Sequence, residues 1–282
     1  MDVREGVLRG GLPYLRVGAG PVLAVLVGLE PRNEVPTGFA RGLELRQVRQ
    51  LAEHFTVYSI HRRPGLPPGC TMADIAAEHA TALEAEFGEP VHVQGVSTGG
   101  AVALQLVRDH PERVRRLVLL AGACRLSDRG RAVQREIAAR IRAGDRRAWA
   151  PLGPALAGGR ATAPAWSALM WWGSPGMTPE DPSDLLRTIE AEDAYDLSDD
   201  LPRITTPTLV AGGDRDYFYG PELFRRTAHG LPHGQLRLHR RLGHAGTTTS
   251  ARVRRDVLHF LGVRRVTAGP AWPSIRRSEL AS

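Results

Sequence analysis

The sequence predicts an α/β fold in which a mostly parallel sheet of eight strands carries helices on both faces. Three observations lead there. Short β-branched runs alternate with stretches of helical spacing, the order that builds parallel sheets through right-handed crossovers. One run, Val22-Leu23-Ala24-Val25-Leu26-Val27, is apolar throughout, as a strand is when helices cover both of its faces. A third run, Val91-His92-Val93-Gln94, ends in Gly95-Val96-Ser97-Thr98-Gly99-Gly100 and leads at once into a helical stretch. Glycines on both sides of a serine let the backbone reverse between strand and helix where larger side chains would clash.

In chain order, residues 7–17 read as an opening hairpin around Gly10-Gly11, followed by the buried strand at 22–27. Leu45, Val48, Leu51 and Ala52 predict a helix over 44–55, with a strand at 55–60 after it. Thr71 opens a helix that runs to about Phe87, with Asp74 in its first turn and Gly88 past its end. The strand at 91–95 and the helix at 101–109 frame Ser97, and residues 114–121 form a further core strand. The rhythm then breaks. Residues 124–202 hold only helical segments, at 129–149, 161–172 and 182–193, and four of the five tryptophans: Trp149, Trp166, Trp171 and Trp172. Such an insert would sit over the carboxyl edge of the sheet. Trp166, Met170, Trp171 and Trp172 would then line a substrate pocket, or else form the insert's own core. Strands at 208–212 and 235–238 and a helix over 250–261 complete the sheet. The expected organisation is a core of residues 1–123 and 203–262, a helical cap at 124–202 and a basic tail at 263–282.

Composition narrows the chemistry. Every one of the 37 Lys+Arg positions is arginine, so a lysine Schiff base, a pyridoxal-phosphate attachment and a P-loop lysine are ruled out. The net charge of +7 is concentrated after residue 236, where ten arginines face Asp256 and Glu279. A solvated arginine-rich face explains this better than a nucleic-acid partner, because no basic and aromatic residues interleave. Cys70 and Cys124 lie far apart with no C-x-x-C pair and are expected as buried thiols. No segment is apolar for long enough to span a bilayer, and no leader is visible at Met1, so the expected location is the cytoplasm. No metal-ligand spacing and no nucleotide loop stands out, and no cofactor is expected.

A serine hydroxyl is a poor nucleophile at neutral pH and needs a base, which in turn needs an acid to fix its tautomer. Of ten histidines, His79, His110 and His259 read as helix-surface or helix-end residues. His244 follows the last strand in a glycine-rich loop, at the same sheet edge as Ser97. The loop after the strand at 208–212 offers two acids, Asp214 and Asp216.

The Gly-x-Ser-x-Gly turn, the Gly213-Asp214-Arg215-Asp216 loop and the late Gly243-His244 together resemble the α/β-hydrolase family, which orders its triad as nucleophile, acid, histidine. The resemblance covers residues 7–262. It implies Ser97, Asp216 and His244 as the triad, because the family's acid stands three residues after a strand-ending glycine, here Gly213. It also implies an oxyanion hole from the backbone N–H of Thr98 and of Leu29 or Glu30, where valine replaces the family's usual histidine at residue 27. The arginine of His61-Arg62-Arg63-Pro64-Gly65 is usually structural in the family; a contact with a substrate carboxylate is the alternative. A serine at the elbow separates the chain from haloalkane dehalogenases and epoxide hydrolases, which use aspartate. The expected activity is hydrolysis of a small ester, thioester or lactone. Non-hydrolytic biosynthetic or ligand-binding chemistry, C–C bond hydrolysis and cofactor-free haloperoxidation are alternatives on the same fold. The partner is a small-molecule substrate; oligomeric state is not legible.

Overall fold

The computed structural model of the protein describes residues 2–263 and opens with the hairpin that the glycine pair predicts. β1 (Val3–Leu8) and β2 (Leu12–Val17) pair antiparallel with Leu8 opposite Leu12. Gly10 and Gly11 take φ of 87° and 86° in the turn, a region that side chains disfavour. β3 (Val22–Leu26), β4 (Thr56–Ile60), β5 (Val91–Val96), β6 (Val114–Leu120), β7 (Thr208–Gly213) and β8 (Gly234–His239) are parallel to their neighbours. β2 joins them antiparallel along β4, and the order across the sheet is β1-β2-β4-β3-β5-β6-β7-β8. From β3 the chain moves outward to β4 and then crosses back to β5 on the other side of β3. The crevice at the carboxyl ends of β3 and β5 is where open α/β sheets place their ligands.

Alternate residues of β3 divide the core. Ala24 and Leu26 pack with Ile75 and Leu83 of α2 (Met72–Phe87), with Leu104 and Leu106 of α3 (Thr98–Asp109), and with Phe224 of a later helix. Leu23 and Val25 face the opposite side and pack with Val48 of α1 (Gly38–Val48), Leu51 and Phe55. Each such side chain, once buried, contributes about 1.5–3 kcal/mol of hydrophobic stabilisation. α2 begins where the sequence predicts, because Thr71 and Asp74 form a reciprocal capping box, and it stops at Gly88 with φ 67°. α1 lies earlier than the expected 44–55. Leu45, Val48, Leu51 and Ala52 mark the inward face, yet the regular helix ends at Val48 and residues 49–54 continue as turns. Periodicity marks a helix's buried face better than its ends.

Between β6 and β7 the chain forms α4 (Asp128–Arg142), α5 (Leu152–Leu156), α6 (Ala163–Gly173) and α7 (Ser183–Ala194). Its neck is closed by an isolated antiparallel bridge between Arg125 and Asp196 and by the N–H of Leu197 donating to the Cys124 carbonyl at 2.9 Å. The insert has its own core of Ile137, Ile141, Trp149, Met170, Leu185 and Ile189. α8 (Gly220–Gly230), α9 (His244–Thr249) and α10 (Ala251–Phe260) complete the fold, and Phe224 on α8 and Val253 and Val257 on α10 cover opposite faces of the sheet. Cys70 and Cys124 are buried free thiols. Among the described residues no helix is long and apolar enough to cross a membrane. The expected basic tail lies outside the described residues beyond Val263.

Candidate active site

Ser97 stands at the junction of β5 and α3 with φ 53° and ψ −120°, a conformation costing of order 1–3 kcal/mol for a residue with a side chain. Its neighbours explain how the chain holds it there. A Cβ on Gly95 would collide with the backbone of Gly99 and Gly100, and a Cβ on Gly99 with the carbonyls of Leu26 and Val27. The serine hydroxyl, presented at the sheet edge, donates to His244 Nε2 at 2.9 Å. His244 Nδ1 donates to Asp216 Oδ2 at 2.8 Å. Residues 97, 216 and 244, remote in sequence, thus form one hydrogen-bonded chain.

Asp216 is buried, and its other oxygen accepts the backbone N–H groups of Phe218 at 2.9 Å and Tyr219 at 3.2 Å. Asp214 points elsewhere and accepts from the Arg241 N–H at 2.6 Å, closing the turn in which Arg241 takes φ 62°. His244, expected in a loop, is the first residue of α9, directly after Gly243. Its ring is packed by Phe218 at 4.8 Å and lies nearly parallel to Tyr219 at 6.1 Å. Burial pulls the His244 pKa down, but the adjoining Asp216 charge and hydrogen bond outweigh it, with Glu192 adding, and the net direction is upward.

The loop after β3 abuts the elbow, since a Cβ on Gly28 would stand 3.5 Å from that of Ser97. Arg62 is buried and spends Nη1 on the carbonyls of Gly28 at 3.0 Å and Val27 at 3.3 Å, which makes it a brace of this loop. Arg63 pairs with Glu78 at 2.5 Å and donates to the Gly65 carbonyl at 2.8 Å. Leu29 packs against the insert's core, and Glu30 turns its carboxylate toward His61. Glu30, Glu44 and His61 are the group among the described residues whose donor atoms approach closely enough to suggest a metal. Glu30 lies 2.9 Å from Nδ1 and Glu44 3.3 Å from Nε2, however, so the carboxylates flank opposite ring nitrogens. That is the setting of an imidazolium. Burial lowers the His61 pKa, and the hydrogen bonds and charges of Glu30 and Glu44 override this and raise it to about 9.

Other expectations need correction. The four insert residues expected along a pocket are not gathered on one side. Met170 is buried in the insert's core, while Trp171 and Trp172 are 48% and 79% exposed, and Trp166 is half-buried. Successive residues on a helix point about 100° apart, so residues 170–172 cannot all face inward. Arg147 covers the Trp171 ring at 4.5 Å. His79, expected on a helix surface, is buried on the inner face of α2, where Nδ1 donates to the Ile75 carbonyl at 2.8 Å; burial pushes its pKa down to about 4.

Two residues beside the Ser97–His244–Asp216 chain escape the sequence reading. Glu192 on α7 is buried and accepts from Thr98 Oγ1 at 2.7 Å, and Tyr219 donates its hydroxyl to the same carboxylate at 3.3 Å. The signal for Glu192 was register. It continues the buried stripe Leu185, Thr188 and Ile189 of α7 at spacing i, i+3, i+4, i+7.

The profile of the alpha/beta hydrolase family matches residues 35–257. Over 80 residues the chain is 39% identical to RutD of Yersinia enterocolitica, a protein named for carbamate hydrolysis; the match covers 26% of this chain and 29% of that one. The chain thus spans under a third of the length of that curated relative. Among solved structures, a hydrolase from Pseudomonas aeruginosa PA01 superposes with a TM-score of 0.70 at 23% identity, covering 93% of this chain and 98% of that one. The enol-lactonase from Burkholderia xenovorans LB400 does so with a TM-score of 0.70 at 21% identity, covering 92% and 99%.

Proposed function

Because the chain belongs to the alpha/beta hydrolase family, we propose that it is a serine hydrolase of small esters, thioesters or lactones, acting through an acyl-enzyme on Ser97. The observation that supports this most is the unbroken chain from Ser97 Oγ through His244 to Asp216, with links of 2.9 and 2.8 Å. His244 Nε2 takes the hydroxyl proton as Oγ bonds to the substrate carbonyl carbon, and Asp216 steadies the imidazolium that forms. The backbone N–H groups of Thr98 and Leu29 face the developing oxyanion. When the tetrahedral adduct collapses, the bond to the leaving oxygen or sulfur breaks and His244 returns its proton to that atom. Water, activated by the same histidine, then releases the acid and restores Ser97. The insert of α4–α7 acts as the cap that shapes the acyl pocket, and the relative named for carbamate hydrolysis adds carbamates to the substrates worth screening.

The test is intact-mass analysis after exposure to a fluorophosphonate. One adduct mapping to Ser97, absent in Ser97→Ala and slowed at least about 10³-fold in His244→Ala, is the expected outcome. A folded parent that forms no adduct would sink the reading and leave ligand binding as the question to pursue.

A further inference from the structure

Glu192 occupies a position where the stripe of α7 calls for an apolar residue. It is 1% exposed. Burying a carboxylate costs several kcal/mol unless its oxygens are well hydrogen-bonded, and here they are. Oε2 accepts from Thr98 Oγ1 at 2.7 Å and from Gln134 Nε2 at 2.9 Å, and Oε1 accepts from the Tyr219 hydroxyl at 3.3 Å. Each donor belongs to a different part of the site: Thr98 to the elbow, Gln134 to α4, and Tyr219 to the loop that carries Asp216. An ionised carboxylate can only accept, and three converging donors suit that form. Arg62, buried at the end of β4, supplies the facing positive charge, and Tyr195 just beyond α7 is the other titratable neighbour.

We propose that Glu192 is a positioning residue of the active site, one that holds Thr98 in place and, through its charge, strengthens His244 as a base. Thr98 follows the nucleophile and provides one of the two oxyanion donors, so a carboxylate that fixes its side chain also fixes the direction of its N–H. The groups that face His244 are Asp216 from the loop after β7, Ser97 from the elbow, Tyr219 alongside the ring and Glu192 from α7. Of these, Asp216 and Glu192 are the acids, and each in its ionised form favours the imidazolium that appears when Ser97 gives up its proton. Burial raises the Glu192 pKa on balance, and the hydrogen bonds from Gln134, Thr98 and Tyr219 and the charge of Arg62 oppose it; it is the convergence of three donors on the carboxylate that favours the ionised form. The kinetic part of this inference rests on the serine-hydrolase reading, whereas the effect on His244 does not.

The experiment compares the parent with Glu192→Gln, which keeps the volume and removes the charge, and with Thr98→Val, which keeps the charge and removes the link. His244 is titrated by NMR of its ¹⁵N-labelled ring, and p-nitrophenyl acetate serves as the ester probe. In Glu192→Gln the His244 midpoint falls by about 1 pH unit, and the acid limb of kcat/KM moves with it. In Thr98→Val the midpoint stays with the parent's while kcat drops about 10-fold at nearly constant KM. An unchanged His244 midpoint in folded Glu192→Gln overturns the charge role, and an unchanged kcat in Thr98→Val overturns the positioning role. Should Glu192→Gln fail to fold, Glu192→Asp decides the matter. Its shorter carboxylate keeps the midpoint and lowers kcat if the inference holds, and a kcat equal to the parent's counts against it. A parent that titrates as expected but leaves the ester intact refutes the hydrolase reading alone.

Discussion

Asp214 and Asp216 stand two residues apart in one loop, and their surroundings separate their roles. Asp216 Oδ2 faces the His244 ring, while Asp214 secures the N–H of Arg241. Under the proposed serine-hydrolase mechanism, Asp216→Asn therefore reverses the tautomer that His244 needs and lowers kcat about 10⁴-fold in a folded protein. Asp214→Asn leaves kcat within about twofold and costs about 1–2 kcal/mol in urea denaturation, because it weakens one charge-assisted bond in a turn. Equal losses of activity in the two variants would reject this division. The raised His244 pKa adds a sign: the base works only when neutral, so kcat/KM climbs with pH through a midpoint above the ordinary 6.5. The juxtaposition of Ser97, His244 and Asp216 was legible because backbone geometry forces glycines around Ser97 and because the three residues fall in order at strand ends. Glu192 was not, since the exposed Glu190 and half-buried Asp193 near it are acids of the same kind and only helical register distinguishes it.

At the scale of elements, α7 is fastened to the core at both ends. In its first turn Asp184 accepts the backbone N–H groups of Gly65 and Leu66, each at 2.8 Å, and Arg187 donates to the Leu66 carbonyl. Near its last turn Glu192 grips the elbow. A helix held so is a strut between the loop after β4 and the elbow at Ser97, so any opening of the α4–α7 insert must involve α5 and α6 more than α7. Asp184→Ala removes two backbone bonds to a partly screened carboxylate and costs about 1–3 kcal/mol, or roughly 2–8 °C in melting temperature. If α7 is a strut, hydrogen exchange in that variant quickens at residues 65–66 and along α7 while α6 keeps the parent's rate; acceleration confined to α6 would mean the opposite. Such anchoring is long-range and polar, and sequence periodicity carries no trace of it. What periodicity did carry was each helix's buried face, hence the correct existence of α1 with its ends displaced.

For the whole molecule, the parallel pairing of β3 with β4 brings the loops after these two strands together, and His61 lies between them. Its ring nitrogens face Glu30, next to Leu29 in the oxyanion loop, and Glu44 on α1. The folded pKa of about 9 lies above the ordinary 6.5. Protonated His61 therefore stabilises the fold fully below pH 6.5, and this contribution is lost as pH rises through about 9. Glu44→Gln isolates it, because other titrations are common to both proteins and cancel in the difference. The variant melts about 2–6 °C below the parent at pH 6.5, and the gap narrows steadily as pH rises from 6.5 through about 9. A gap that stays constant from pH 6.5 to 9.5 would mean that the ring is neutral throughout and that Glu44 contributes by packing alone. Since Glu30 is one residue from Leu29, the same titration loosens the loop proposed to hold the oxyanion, so if the protein is the serine hydrolase proposed above, ester hydrolysis by the parent declines over that upper range and more steeply than in Glu44→Gln.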